Sequence, residues 1–325
     1  MSTRTDPIPT DADRTRPLGA WIPPLIGVAA AVLGLLPWLV TGLRLPLQNL
    51  WAAETLPDDM PIVLLPFSQY ALSLVAALLV IGAAAAGVAV RSLRLRLRMP
   101  RLGVLAAFVG LLATQAVAAA QTATVVRRGL DASRAASDLY FAAVLGVVVL
   151  SVLVGALVFW LVAAAPRAGA LVGLAIAAVL FGPWVSGLLL PFGTVPSDWQ
   201  LALATWTRWV PAVVIGLAIA WCGVATIGRV IAALASLLLL WIAPAVITGV
   251  TAAAGTRVLA SSPLDMLDYA VQVTGMALFL PEVALPPIAL AVAVAIGGLV
   301  VRRARARARP SAGSARRTTP APPSP

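Results

Sequence analysis

Residues 71–101 read ALSLVAALLVIGAAAAGVAVRSLRLRLRMPR, a run of apolar or small residues followed directly by five arginines. About 20 mostly apolar residues cross the hydrocarbon core of a bilayer as a helix. Arginines concentrated at one end of such a helix favour the cytoplasmic side. The stretch therefore predicts a transmembrane helix whose C-terminal end lies in the cytoplasm.

The rest of the chain has the same character. Of its 325 residues 61% are hydrophobic and 11% charged, whereas a soluble domain carries about 25% charged residues. A soluble fold could not hide this much apolar surface. The composition predicts an all-α, polytopic integral membrane helix bundle with about eight transmembrane helices, near residues 19–41, 67–90, 102–125, 140–165, 169–190, 210–228, 230–253 and 282–301.

The arginines indicate the orientation of this bundle. With the N-terminus inside, the cytoplasmic segments hold seventeen arginines and three acids, and the outer segments hold six arginines and nine acids. The positive-inside rule therefore predicts that both termini are cytoplasmic. Arginine as the only basic residue type, with abundant Ala, Gly, Val and Leu, is typical of a GC-rich bacterial genome. We expect the chain in a bacterial inner (plasma) membrane.

Four segments are predicted along the chain. Residues 1–18 form a polar cytoplasmic segment, and 302–325 form a basic, Pro/Ser-rich, disordered cytoplasmic tail. Residues 19–165 and 166–301 are expected to be two membrane units of four helices each. The first apolar stretch is longer than the 7–15 residues of a signal-peptide core, so we expect an uncleaved first helix.

The two membrane units resemble each other in sequence. Residues 37–46 (PWLVTGLRLP) resemble residues 183–191 (PWVSGLLLP) with one residue deleted. At a constant offset of 129, a second set of residues matches: Arg128, Leu130, Ser133 and Tyr140 with Arg257, Leu259, Ser262 and Tyr269. Because each unit has an even number of helices, the pattern predicts a parallel tandem repeat. The alternative is chance similarity between helix ends.

An acidic pair, Asp58 and Asp59, lies in the first outer loop. Its position resembles that of the acidic pair in membrane glycosyltransferases that use lipid-linked sugars, which implies a base or a ligand for a divalent cation. The alternative is a solvated Leu-Pro-Asp-Asp turn, which we favour. No metal site is expected.

A polar stripe runs along the third predicted helix. Gln115, Gln121 and Thr122 share one face, and a polar side chain in hydrocarbon must find partners within the protein. The stripe predicts either the lining of a substrate path or hydrogen bonds between helices. Pro244 and Thr248 hold the corresponding part of the seventh helix, so we expect a central site if the two helices face each other across a pseudo-twofold axis.

Further arginines are expected to contact anionic lipid headgroups at the cytoplasmic surface. They follow the second and the eighth predicted helix: Arg94, Arg96, Arg98, Arg302, Arg303 and Arg305. The same location argues against nucleic-acid binding, although the net charge is +11.

Several function classes lack a basis in the sequence. The chain has no histidine, no lysine and one cysteine, Cys222, and it carries no nucleotide-binding or hydrolase motif. No charged residue is predicted at mid-membrane, which disfavours an ion-coupled pump. We expect no cofactor and lean against an enzyme.

Three functions remain as alternatives. The first is a non-enzymatic permease-like or scaffold component that acts with other membrane proteins. The second is a small-molecule or lipid transporter with its path at the repeat interface. The third is a lipid-linked glycosyl or phosphoryl transferase that uses Asp58 and Asp59. The oligomeric state is not predicted.

Overall fold

The computed structural model describes residues 19–48, 50–97, 99–191, 194–256 and 262–307, and the regular elements of these ranges are helices. They are α1 (Ile22–Val40), α2 (Leu72–Arg96), α3 (Gly103–Gly129), α4 (Ala135–Ala163), α5 (Arg167–Leu189), α6 (Asp198–Thr207), α7 (Val210–Cys222), α8 (Ile227–Gly255), α9 (Pro263–Leu278) and α10 (Pro281–Arg307). Residues 1–18, Arg98 and the tail from residue 308 onwards lie outside the described ranges.

Eight helical stretches of the described chain are long and apolar enough to cross a membrane. Each of them overlaps one of the eight predicted spans, with the stretch Asp198–Cys222 combining α6 and α7. The predicted class, a polytopic membrane helix bundle, is confirmed. α7 alone has 13 residues, short of the roughly 20 that span a bilayer, and the stretch reaches sufficient length only together with α6.

The boundaries differ from the predictions in one informative place. The sixth span was predicted to reach residue 228, but α7 ends at Cys222 because Gly223 adopts a left-handed conformation with φ of 76°. Glycine takes this conformation without steric cost. Arg229 consequently lies in the first turn of α8 rather than in a loop. α9 ends at Leu278, and α10 begins at Pro281.

Small residues allow the closest helix contacts. Gly34 of α1 meets the backbone of Leu78 and Gly82 on α2, and Gly216 of α7 meets the carbonyl of Ala291 on α10. Without a hydrophobic driving force between helices in lipid, such close packing is a main source of association. The glycines therefore fix which helices pair.

The helices pair in the same way within each half of the chain. In residues 19–165 the extensive contacts are α2 with α4, α1 with α3 and α1 with α2, whereas α3 touches α2 and α4 little. In residues 166–301 the extensive contacts are α7 with α10, α5 with α8 and α5 with α7, whereas α8 touches α7 and α10 little. α9 is additional and packs along α8.

α5 holds the two halves together. It packs against α2 and α4 of the first half as well as against α7 and α8 of its own half. The Trp184 indole of α5 donates a hydrogen bond to the carbonyl of Gly34 on α1, at 2.8 Å. α3 and α8 do not pack against each other.

The bundle presents two faces. The arginine face carries the C-terminal ends of α2, α4 and α7 and the N-terminal end of α5, with Arg91, Arg94, Arg167 and Arg302. The opposite face, the loop face, carries the connection between α1 and α2, residues 41–71. We call this connection the α1–α2 loop.

Candidate functional site

The α1–α2 loop folds back into the loop-face end of the bundle. Its residues Met60, Val63, Leu65 and Phe67 are buried, with exposures of 1% or less. They pack in one core with Leu35, Trp38, Val75, Leu78 and Val126. Backbone N–H and C=O groups buried in this core need hydrogen-bond partners, because an unpaired buried group costs about as much as a lost hydrogen bond.

The polar stripe of α3 supplies these partners. The side-chain oxygen of Gln121 accepts the backbone N–H of Leu64 at 3.0 Å, and its amide nitrogen donates to the carbonyl of Ile62 at 3.1 Å. The hydroxyl oxygen of Thr122 accepts the backbone N–H of Leu65 at 2.9 Å. Gln121 and Thr122 thus hold the loop segment 62–65 against α3.

Other side chains also hold the α1–α2 loop in place through hydrogen bonds. The Trp38 indole donates to the carbonyl of Val63 at 2.8 Å, and Arg44 donates to the carbonyl of Met60 at 3.2 Å. The amide nitrogen of Gln48 donates to the carbonyls of Pro46 and Phe67, and its oxygen accepts the hydroxyl of Tyr140. α1, α3 and α4 therefore all position the loop.

A cavity of about 1060 Å³ lies between the α1–α2 loop and the neighbouring helix ends. We call it the loop-face cavity. Its lining combines two acids, two arginines and polar or aromatic side chains: Glu54, Asp58, Arg44, Arg134, Gln48, Trp38, Trp51 and Tyr70. Buried Met60 lies at its wall. The cavity can therefore contact both charged and apolar parts of a ligand.

The connection between α3 and α4 positions one of the cavity arginines. Arg134 forms an ion pair with Asp131, with Nε and Oδ2 separated by 3.0 Å. Asp131 also accepts hydrogen bonds from the hydroxyl and backbone N–H of Ser133, and these bonds, with Arg134, lower the pKa of its carboxyl below the ordinary 3.8. Asp131 stays charged at neutral pH and keeps Arg134 at the cavity.

The acidic pair is divided between two environments. Asp58 and Asp59 belong to a single 3-10 turn, Pro57–Asp59, and both are exposed. Asp58 lines the loop-face cavity with Glu54, whereas Asp59 does not line it. In the described part of the chain no three acids or cysteines converge as metal ligands would.

The remaining substrate-path candidates lie apart from one another. Gln115 is 2% exposed and donates from its amide nitrogen to the carbonyl of Leu79 at 2.9 Å. Thr248 is exposed on α8 and donates to the carbonyl of Pro244 at 2.9 Å. Because α3 and α8 do not pack together, the structure does not join these residues in one central site. A substrate path there stays a prediction.

The arginines predicted to contact lipid have mixed surroundings. Arg94 donates to the carbonyl of Ala163 at 3.1 Å, and Arg302 donates to the carbonyl of Trp221 at 2.9 Å, so both cap the C-terminal ends of neighbouring helices. Arg96, Arg303 and Arg305 are exposed at the same face. Arg98 lies outside the described residues. Their contact with lipid stays a prediction.

Of the four charged residues that line the cavity, the sequence had singled out Asp58 but not Glu54, Arg44 or Arg134. Arg44 and Arg134 were counted only as outer charges, and their convergence on one cavity has no signature in the local sequence. The length of the α1–α2 loop was the available signal, because long connections without regular structure are usually functional or disordered. Its apolar segment 62–65 was the sign that the loop is buried.

Comparison with family models, with curated proteins and with solved structures finds no match to this chain.

Proposed function

We propose that this chain is a non-enzymatic component of a bacterial cell membrane that acts through a partner protein bound in the loop-face cavity. In this proposal both termini are cytoplasmic and the cavity opens to the outside, as the distribution of arginines favours. The observation that carries the proposal is the loop-face cavity itself, walled by a loop whose backbone is bound by three side chains of α1 and α3, those of Trp38, Gln121 and Thr122.

The lining of the cavity supports a polypeptide as the occupant. Its volume of about 1060 Å³ is close to the upper end of the range for small-molecule pockets, about 1000 Å³, so the cavity has room for a large ligand. Charges of both signs, Glu54 and Asp58 with Arg44 and Arg134, suit a segment that itself carries both signs. Trp51 and Tyr70 offer aromatic surface of the kind enriched at protein interfaces.

We further propose that the two halves are copies of one four-helix unit in parallel orientation. The matching pattern of helix contacts supports this proposal. So do the two Pro-Trp pairs, which both lie inside the loop-face ends of their helices, Pro37-Trp38 in α1 and Pro183-Trp184 in α5. The α1–α2 loop and every lining residue of the cavity except Thr194 belong to the first copy, which would make the first copy the main binding unit.

Photo-crosslinking in intact membranes tests the partner. A photoreactive amino acid replaces Ala53, which is exposed and lines the cavity. The matched control replaces Thr205, which is exposed on α6 of the same face and does not line the cavity. We expect one discrete polypeptide adduct from position 53, absent from position 205, and weakened when Arg134 is replaced by Ala.

Two results would contradict the proposal. One is the same adduct pattern from both positions, since that would indicate collisions rather than binding. The other is the absence of any polypeptide adduct from position 53 in a chain whose insertion is verified.

A second candidate, a lipid-linked transferase, rests on one observation. Asp58 and Glu54 line the same cavity as Arg44 and Arg134, and guanidinium groups are well suited to bind phosphate. If the protein transfers a sugar or phosphoryl group, Asp58→Asn should abolish that transfer in a folded chain while Asp59→Asn should preserve most of it. Equal transfer by both variants and the parent chain would contradict a catalytic Asp58.

A further inference from the structure

Two arginines from different halves lie against one indole ring at the arginine face. The guanidinium carbon of Arg91, on α2, is 5.3 Å from the centroid of the Trp221 ring, and that of Arg167, which begins α5, is 5.9 Å from it. Trp221 is 39% exposed. The ring therefore gathers positive charge from both halves at an accessible surface.

Further arginines surround this pair. Arg302 reaches the carbonyls of Ala220 and Trp221 from α10, and Arg94 reaches the carbonyl of Ala163 from α2. The ion pairs of the described chain, Arg127 with Asp138 and Arg134 with Asp131, are both at the loop face. Among the described residues, no acid therefore neutralises the cluster at the arginine face.

The known contacts of Arg91 use only part of its hydrogen-bonding capacity. Its two hydrogen bonds, to the carbonyls of Val162 and Ala165, are both made by Nη1, at 2.8 and 3.0 Å. A guanidinium has five N–H donors in a planar fork that matches phosphate and carboxylate. Arg91 thus has donors left for an anion with several oxygens, and Arg167 lies against the same indole ring.

The surroundings of the cluster indicate an amphiphilic anion. Val224 and Ile227 follow Trp221 in the chain, at the same end of the bundle, and are 41% and 80% exposed. Tryptophan is enriched at the headgroup level of membranes, where phospholipid phosphates lie. A phosphate on the arginines would leave acyl chains free to lie against the apolar flank.

We infer that Arg91, Arg167 and Trp221 form a binding site for the phosphate of an anionic phospholipid, placed between the two halves of the bundle. Basic pockets between transmembrane helices are suited to such headgroups. The bound phosphate would offset the repulsion between Arg91 and Arg167 and so join α2 to α5. This site is independent of whatever the loop-face cavity binds.

Lipid titration of the purified full-length protein in detergent tests the site, with the thermal unfolding midpoint as the readout. We expect phosphatidylglycerol to raise the midpoint in a saturable way, and phosphatidylcholine with the same acyl chains to leave it unchanged. Arg167→Gln should weaken the apparent affinity by about ten- to a hundredfold, because it removes charge-assisted hydrogen bonds. Arg303→Gln, which removes the same charge at the same face beyond the cluster, should weaken it by about fivefold or less.

Any one of the following results would overturn the inference. Equal weakening by Arg167→Gln and Arg303→Gln would indicate diffuse attraction rather than a site. Equal stabilisation by the two lipids would show that the site does not require an anionic headgroup. Stabilisation by inorganic phosphate equal to that by phosphatidylglycerol would show that it does not require a lipid. If Arg167→Gln does not fold, Arg167→Lys keeps the charge without the planar fork, and wild-type affinity in that variant would also contradict the site.

Discussion

The hydroxyl of Thr122 and the backbone N–H of Leu65 are joined by a hydrogen bond of 2.9 Å, although the residues are separated by 57 positions in the chain. Both residues are fully buried. The bond is one of the contacts by which α3 holds the α1–α2 loop inside the bundle, and the wall of the loop-face cavity depends on that loop.

Replacing Thr122 tests the importance of this bond. Thr122→Val keeps the shape but leaves the Leu65 N–H without its acceptor, so we expect a loss of about 1–3 kcal/mol in the free energy of unfolding. Thr124→Val is the matched control, since Thr124 is exposed and its hydroxyl donates only to Gln121 within α3. Thr122→Ser should restore most of the stability. Unfolding titrations in mixed micelles measure all three, and equal effects of the two valine variants would contradict the role of Thr122.

Glycine packing between α1 and α2 gives a second prediction. A Cβ at position 34 would meet the backbone of Leu78 and Gly82, so Gly34→Ala should cost about 1–3 kcal/mol through overpacking. Gly146 lies in α4 with no neighbouring atom near its added Cβ, and Gly146→Ala should be neutral or stabilise by up to about 1 kcal/mol. The thermal unfolding midpoints of the Gly34→Ala and Gly146→Ala variants measure these two effects. A Gly34→Ala protein as stable as its Gly146→Ala counterpart would show that α1 and α2 do not approach as described.

The third prediction concerns Asp131 and its pH dependence. The pKa of the Asp131 carboxyl is lower in the folded protein than its ordinary value of 3.8. Asp131 is therefore charged and paired with Arg134 above pH 3.8, and the ion pair is lost only when the pH falls to the lowered pKa. Asp131→Asn should therefore speed tryptic cleavage after Arg134 at neutral pH. The ratio of the variant's cleavage rate to that of the unchanged chain should be the same at every pH at which trypsin is active. Asp198→Asn, on the same face, is the control. Mass spectrometry of the fragments measures the rates, and an unchanged rate in Asp131→Asn would contradict the positioning of Arg134.

Orientation is tested by reporter fusions. A fusion after Arg98 or after Arg309 should report a cytoplasmic location, and one after Asp59 an external location, because arginines favour the cytoplasmic side. The parent reporter targeted to each compartment calibrates the readout. The same location for the Arg98 and Asp59 fusions would contradict a crossing by α2.

The sequence was sufficient for the membrane class and for the number of spans, because both depend on the length and composition of apolar stretches. The end of α7 at Cys222 was missed, because the left-handed conformation of Gly223 gives no sign in an apolar stretch that continues beyond it. Local sequence patterns therefore predict the ends of helices less accurately than their presence.

The candidate site was predicted only in part. The sequence indicated that Gln121 and Thr122 need partners within the protein, but it could not show that these are backbone groups of residues 62–65, because backbone N–H and C=O groups are the same at every such position. Likewise, the gathering of Arg44 and Arg134 around one cavity depends on how two separate loops fold. Long-range contacts of this kind depend on the tertiary arrangement of helices rather than on spacing.

Cysteine accessibility tests the central claim, that the α1–α2 loop is seated in the bundle and walls a cavity on its outer side. In a Cys222→Ser chain, Ala53→Cys and Val63→Cys are each exposed in intact cells to a maleimide that does not cross membranes. Ala53 lies in the exposed lining of the cavity and Val63 is 0% exposed, so we predict rapid labelling at position 53 and none at position 63. Labelling at position 63 should appear only when Gln121→Ala and Thr122→Val are introduced together. Equal labelling at positions 53 and 63 in the otherwise unchanged chain would contradict the seated loop and, with it, the cavity.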